Sequence, residues 1–340
     1  MKIAVVIPCR NEVKNIEECI HAIFESDIPQ SWQINVNVVD GLSDDGTIEL
    51  LQSLQNQYPL LSIVVNHKKV TPIAFNLGIQ AGDGCDYVQI IGARQVIDKT
   101  YIRKAVERLE SDKSIWCVGG KVQNVFQNYE GKIIASAMST SLGMGIGNFR
   151  TVEQSAFVDT VGTPMYPFWV FEKIGFFDEE LIRNQDDDFN FRVINAGGKI
   201  FFDASISLKY YVRGNFQNLK TQFYQYGYWK VFVNRKHKAV TTIRQLVPPL
   251  FVVYLLLMAL SWVLGSLVGS VSSTPLLIYF ALVGYTSYKL QKSDRKMKFF
   301  DLFKTFPILH VSYGWGYLRG IVDFIILNKK PSDRNKALSR

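Results

Sequence analysis

Histidine and cysteine are scarce in this chain, four of each among 340 residues. Cys9, Cys19, Cys85 and Cys117 stand far apart, and His21, His67, His237 and His310 are equally scattered. No zinc-type ligand set can be assembled from that spacing, and the cysteines are expected as reduced core residues. The N-terminus has no secretory apolar region ahead of a cleavage site, because residues 3–7 are too few and read instead as a first strand. The net charge is +8, yet no nucleic-acid recognition motif accompanies it, so nucleic acid is not expected among the partners.

Long uncharged stretches are also missing until residues 246–268, which are rich in Leu, Val, Phe and Trp. At about 1.5 Å per residue such a helix covers the roughly 30 Å of a hydrocarbon core. A second apolar run, residues 275–290, is only marginally long, and the two together read as a membrane hairpin. Arg235, Lys236, Lys238 and Arg244 precede the first run, and Lys289, Lys292, Arg295, Lys296 and Lys298 flank the second. That placement puts both flanks on the cytoplasmic side and attracts anionic lipid, so membrane lipids are an expected partner. Residues 299–327 mix apolar stretches with Asp301, Lys304, Arg319 and Asp323. A pair of surface-lying or re-entrant helices is expected there rather than a third span, which would export the basic tail from residue 329 onward.

Before residue 240 the pattern is soluble α/β. Apolar runs at 2–7, 34–39, 61–65, 87–91 and 115–118 alternate with helical periodicity, such as Ile16, Ile20, Ile23 and Phe24, or Ile48, Leu51 and Leu54. This alternation predicts a mainly parallel sheet covered on both faces, with a ligand beyond the carboxyl ends of its strands. Periodicity weakens over residues 123–167, where Gly143, Gly145 and Gly147 suggest a loop over the site. Residues 168–171 look strand-like, and an amphipathic helix dense in Tyr, Phe and Trp is expected over residues 216–233.

Two groups carry chemistry. Pro8, Arg10, Asn11 and Glu12 follow the first strand, and Asp40-Gly41-Leu42-Ser43-Asp44-Asp45-Gly46-Thr47 follows the second. Two loops one strand apart can wall a nucleotide pocket, with Asp40 accepting from a base or ribose and Arg10 or Arg94 facing phosphate. A simple turn explains the second loop equally well. Asn184-Gln185-Asp186-Asp187-Asp188 opens a helix. Capping and the helix dipole account for acids there, and so does a general base held near an acceptor hydroxyl. Side chains about 100° apart around a helix leave room for only one such base.

In this order, Val5-Val6-Ile7-Pro8-Cys9-Arg10-Asn11-Glu12, residues 39–47, residues 88–102, Gly175-Phe176-Phe177-Asp178-Glu179, residues 183–192 and Gln222-Phe223-Tyr224-Gln225-Tyr226-Gly227 carry a resemblance that covers nearly the whole chain. The chain resembles inverting glycosyltransferases of family 2 with a GT-A fold, above all the membrane-associated bacterial enzymes of the succinoglycan-biosynthesis type. The resemblance implies a GT-A domain over residues 1–235 and a membrane-associated helical region over residues 236–340. It implies a nucleotide-sugar donor, a lipid-linked or glycan acceptor, and an active site on the cytoplasmic face of the bacterial inner membrane. It places Pro8, Asn11 and Glu12 around the nucleotide, Asp40 near the base, and Gln222 and Tyr226 near the diphosphate or acceptor, while Arg10, Lys69, Gly92 and Arg94 complete the expected donor site. It makes Asp186 the catalytic base, with Asp187 in reserve.

The departures fall on the metal. Gly92 and Arg94 stand where the resemblance implies metal-associated carboxylates, and Gln185 replaces the glutamate of an acidic pair. Mg²⁺ or Mn²⁺ held mainly through the donor diphosphate is one expectation. Phosphate handling by Arg94 with Lys68, Lys69 or Arg10, independent of metal, is the other. A catalytically silent subunit binding glycan or a partner is the competing function.

Overall fold

The computed structural model describes residues 1–145, 152–212, 214–264 and 273–331. Gly147, the turn between the two apolar runs and the basic tail past residue 331 lie outside the described residues. Contacts divide the chain into two units, residues 1–125 with 147–212, and residues 126–146 with 213–340. In this division a segment from the middle of the chain groups with the C-terminal unit.

The first unit is built on a nine-stranded mixed sheet, of order β3-β2-β1-β4-β8-β6-β9-β5 with β7 beside β9. Its strands are β1 (Lys2–Cys9), β2 (Gln33–Asp40), β3 (Leu61–Val65), β4 (Tyr87–Ile90), β5 (Gln95–Ile97), β6 (Ile115–Phe126), β7 (Ala156–Val158), β8 (Met165–Pro167) and β9 (Lys199–Val212). β3, β2, β1 and β4 are parallel. β8 then runs antiparallel to β4 and β6. The continuous apolar run of β1 suits a strand covered on both faces: Ile3, Val5 and Ile7 enter one core, while Ala4 and Val6 enter the other. Helices α1 (Ile16–Phe24), α2 (Thr47–Gln57) and α4 (Tyr101–Ser111) seal the first of these with Ile20, Leu51 and Val106. α3 (Thr71–Gln80), α7 (Trp169–Ile174) and α8 (Gln185–Asn195) supply the second with Ala74, Phe171 and Phe189.

Three local expectations change. Residues 168–171 are not a strand, because β8 ends at Pro167 and Trp169 starts α7, whose Val170 and Phe171 are buried. β5 was not anticipated; three residues paired to β9 are too few to show a period. The weakly periodic middle of the chain contains α5 (Tyr129–Met138) and α6 (Ser141–Met144), so Gly143 lies in a short helix.

The second unit is helical. α9 (Phe216–His237) packs along α12 (Phe299–Gly320), and α10 (Val247–Leu264) and α11 (Thr274–Ser293) lie against α12. Among the described residues one helical stretch, Ile243–Ser261, is long and apolar enough to cross a membrane. The second run forms α11 but is less apolar, with Thr286, Ser287, Lys289, Gln291 and Lys292 in its second half. The helix pair expected over 299–327 is one helix, prolonged by a wide turn at Ile321–Ile326. Its charges do not break it because they pair along it, Lys304 with Asp301 and Arg319 with Asp323.

Candidate active site

Parallel pairing sets Cys9 beside Asp40 and Asp40 beside Val65, so the loops after β1, β2 and β3 leave the sheet side by side. The first two loops are tied into one body. Ser43 Oγ accepts from Asn11 N at 2.8 Å, Asn11 Nδ2 donates to Asp44 at 2.8 Å, and Asp44 N returns a bond to Asn11 Oδ1 at 3.0 Å. Glu12 N donates to Thr47 Oγ1 at 3.0 Å and Val13 N to Asp45 at 3.3 Å. Asn11 holds a left-handed φ of 55° to make these contacts, a conformation asparagine tolerates better than most residues. The Arg10 stem lies over Gly41, where a Cβ would come within 3.3 Å of Arg10 Cδ.

Asp40, expected near a base or ribose, is 1% exposed and accepts from both Ser43 N and Ser43 Oγ, so its carboxylate also shapes the loop that carries it. Ser43 was not singled out from the sequence, since a serine in an acidic turn looks like any turn residue. The acidic groups nearby are similarly engaged: Asp45 accepts from Thr47 N and Thr47 Oγ1. After β3, Asn66 Oδ1 accepts from Lys68 N at 3.1 Å and Lys69 N at 3.2 Å, fixing an exposed basic turn with Lys69 at φ 59°.

After β4, Gly92 and Gln95 close a tight turn: Gln95 N donates to Gly92 O, and Gly92 N donates to Gln95 Oε1 at 2.6 Å. Arg94 then reaches back to the first loop. Its Nε donates to Glu12 Oε2 at 2.8 Å and its Nη2 to Glu12 Oε1 at 2.6 Å, a two-point ion pair across 82 positions of sequence. Glu12 and Arg94 were each expected at the donor but not as partners, and no sequence signal links them.

A divalent ion is what the resemblance implies at this point of the fold. Gly92 offers no ligand, Arg94 carries the wrong charge, and both Glu12 carboxylate oxygens are engaged by Arg94. Among the described residues no group of three or more His, Cys, Asp or Glu side chains converges to hold a metal. These residues do not fit an ion held by side chains.

The acidic helix start belongs to the same unit. Because β8 is antiparallel to β4, the segment before Met165 runs on past the carboxyl end of β4, with Ile90 N donating to Pro164 O at 2.9 Å. α8 docks on that segment: Asn190 Nδ2 donates to Thr160 Oγ1 at 3.0 Å, and Tyr166 Oη donates to Asn190 Oδ1 at 3.3 Å. Burial pushes the Tyr166 hydroxyl well above the usual tyrosine range, with Cys117 and the charge of Asp186 adding to it. The three adjacent acids have separate fates. Asp188 is 3% exposed and pairs with Arg192, which also donates to the carbonyls of Ile174, Gly175 and Phe176 and so fastens α8 to the end of α7. Asp187 accepts from Asn184 Nδ2 at 2.8 Å. Asp186 is the exposed one.

Gln222 and Tyr226 sit on α9, in the second unit, one turn apart and joined by a 2.9 Å bond from Gln222 Nε2 to Tyr226 Oη. Both are half-buried.

A parallel α/β half with loops knotted at its carboxyl edge, beside an antiparallel extension carrying an acidic helix start, is a GT-A fold. The sequence model of Glycosyl transferase family 2 matches residues 4–175, and the chain belongs to that family. It is a glycosyltransferase. Over 241 residues, 69% of this chain and 74% of the relative, it is 29% identical to the dolichyl N-acetyl-alpha-D-glucosaminyl phosphate 3-beta-D-2,3-diacetamido-2,3-dideoxy-beta-D-glucuronosyltransferase of Methanococcus voltae. Over 247 residues, 72% of this chain and 73% of the relative, it is 28% identical to the succinoglycan biosynthesis protein ExoA of Rhizobium meliloti. In fold it is similar to the mannosyltransferase PcManGT from Pyrobaculum calidifontis, solved with GDP-Man and Mn²⁺, at a TM-score of 0.62 and 16% identity, over 94% of this chain and 86% of that one.

Proposed function

We propose that this chain transfers a sugar, with inversion, from a nucleoside-diphosphate sugar to a lipid-linked or polysaccharide acceptor at the cytoplasmic face of the membrane. The observation that carries the reading is the exposure of Asp186 in the first turn of α8, where its neighbour Asp188 is buried against Arg192. An exposed carboxylate in that position suits a general base. The acceptor oxygen bonds to the anomeric carbon as the bond from that carbon to the diphosphate breaks, and Asp186 takes the hydroxyl proton. The nucleoside diphosphate leaves on the opposite face.

The donor is received by the knotted loops at Pro8, Arg10, Asn11 and Glu12 and by the turns carrying Lys69, Gly92 and Arg94, with Asp40 setting the loop shape. Gln222 and Tyr226 are assigned to the diphosphate or acceptor. A lipid-linked or polysaccharide acceptor is favoured by the named relatives and by the apolar stretch Ile243–Ser261.

The test is transfer across UDP-, GDP- and dTDP-sugars with lipid-phosphate acceptors, comparing wild type with Asp186→Asn. Loss of a general base costs about 10²–10⁴-fold in turnover. Full turnover by Asp186→Asn removes the assignment, in which case Asp187→Asn is the next variant. Absence of transfer with every donor supports the silent-subunit reading.

A further inference from the structure

The Glu12–Arg94 pair carries a consequence for how the donor is bound. The two side chains are 11% and 25% exposed, so the pair is sheltered but not sealed. Glu12 Oε2 also accepts from Asn15 Nδ2 at 3.0 Å, so the carboxylate is held from two sides. The guanidinium meets it edge-on through Nε and Nη2. That geometry directs Nη1 away from Glu12, and a guanidinium edge with N–H donors matches phosphate oxygens two at a time.

Space does not explain the missing carboxylate at position 92. Gly92 is not among the residues with left-handed φ, and a Cβ there would meet only the end of the Gln95 side chain at 3.4 Å. An aspartate fits. What accompanies its absence is Arg94, a cation at the second expected carboxylate position, anchored by an acid from the neighbouring loop. Holding the guanidinium in advance lowers the ordering cost when phosphate arrives.

We infer that the Glu12–Arg94 pair stands in for a protein-held divalent ion, with Arg94 donating to the donor diphosphate and Glu12 fixing its orientation, so that donor binding needs no metal. This rests on the donor reading proposed above. Lys69, on the exposed turn after β3, adds charge at the same edge of the sheet.

Calorimetric titration of the full chain in detergent with UDP, GDP and dTDP, in chelator and in Mn²⁺, tests it. The wild type binds its preferred nucleoside diphosphate in chelator within about two-fold of its affinity in Mn²⁺. Arg94→Ala weakens binding in chelator by at least about ten-fold, the scale of a lost hydrogen bond to a charged group. Arg94→Lys, which keeps charge without the fork, falls between, and it decides the matter if thermal melting shows Arg94→Ala to be unfolded. The double variant Gly92→Asp with Arg94→Asp binds only when Mn²⁺ is added. Wild-type binding that requires Mn²⁺, or affinity in chelator unaffected by both Arg94 variants, overturns the inference. If no nucleoside diphosphate binds in either buffer, the donor reading itself fails and the inference falls with it.

Discussion

Asp203 illustrates how single residues in the first unit are held. It is 3% exposed, yet its carboxyl lies below the usual carboxylate range. Burial alone would raise it; hydrogen bonds from Ser205 and the Arg108 guanidinium at 3.1 Å outweigh that. A depressed folded value means that the contribution to stability is complete above the unfolded value of about 3.9 and is lost as pH falls through the lower folded value. Asp203→Asn should therefore flatten the acid limb of a pH series of urea midpoints, and an unchanged limb would contradict it. At this scale the sequence showed candidates but not partners. Asn11 and Asp186 stood out by residue type and position after a strand or at a helix start. Glu12–Arg94 and Asp40–Ser43 did not, because a pairing depends on which loops emerge side by side. The cysteines were readable for a simpler reason, being apolar in context. Burial pushes the Cys19 thiol up to about 12, as expected of an inert core thiol.

Among elements, α9 and α12 meet through glycines. A Cβ on Gly227 would overlap the Tyr313 carbonyl, and one on Gly316 would overlap the Tyr224 carbonyl, so the two backbones touch where a side chain would hold them apart. Gly316→Leu should push the helices apart and destabilise the second unit by about 1–3 kcal/mol or more, the range of overpacked sites. Detergent-solubilised protein carrying it should melt earlier than wild type, and a wild-type melting temperature would refute the contact. α9 was legible as one amphipathic helix, whereas the segment of α12 was expected as a pair. The close approach of the two helices was not legible, since it depends on which backbone Gly227 and Gly316 face. Short elements escaped for a different reason: β5 has three residues, and its identity comes from pairing with β9.

For the whole molecule the decisive surface is apolar. The stretch Ile243–Ser261 has a mean hydropathy of 1.9 and only 17% of its spanning window buried. Leu250, Leu256, Leu257 and Leu260 are each more than half exposed. A soluble protein would cover such a face, so a hydrocarbon environment is its natural complement. The full chain should pellet with membranes, withstand a high-salt wash and be released by detergent. Release by salt alone would reduce the attachment to the basic clusters at Arg235–Lys238 and Lys289–Lys298. The compact units follow the packing of α9 with α12 rather than the change in composition near residue 235 that the sequence displays.

Local pattern was enough for the sequence alone to determine the α/β class, the placement of motifs at strand ends, the acidic helix start and the long apolar run. Each is a property of neighbours in the chain, set by a repeat of two or 3.6 residues. Only the tertiary structure decided that Asp188 is buried against Arg192 while Asp186 is exposed, that Asp40 is buried and bonded to Ser43, and that Arg94 is held by Glu12. Those outcomes depend on distances between residues up to 82 positions apart, which are fixed by the register of the strands that bring them together.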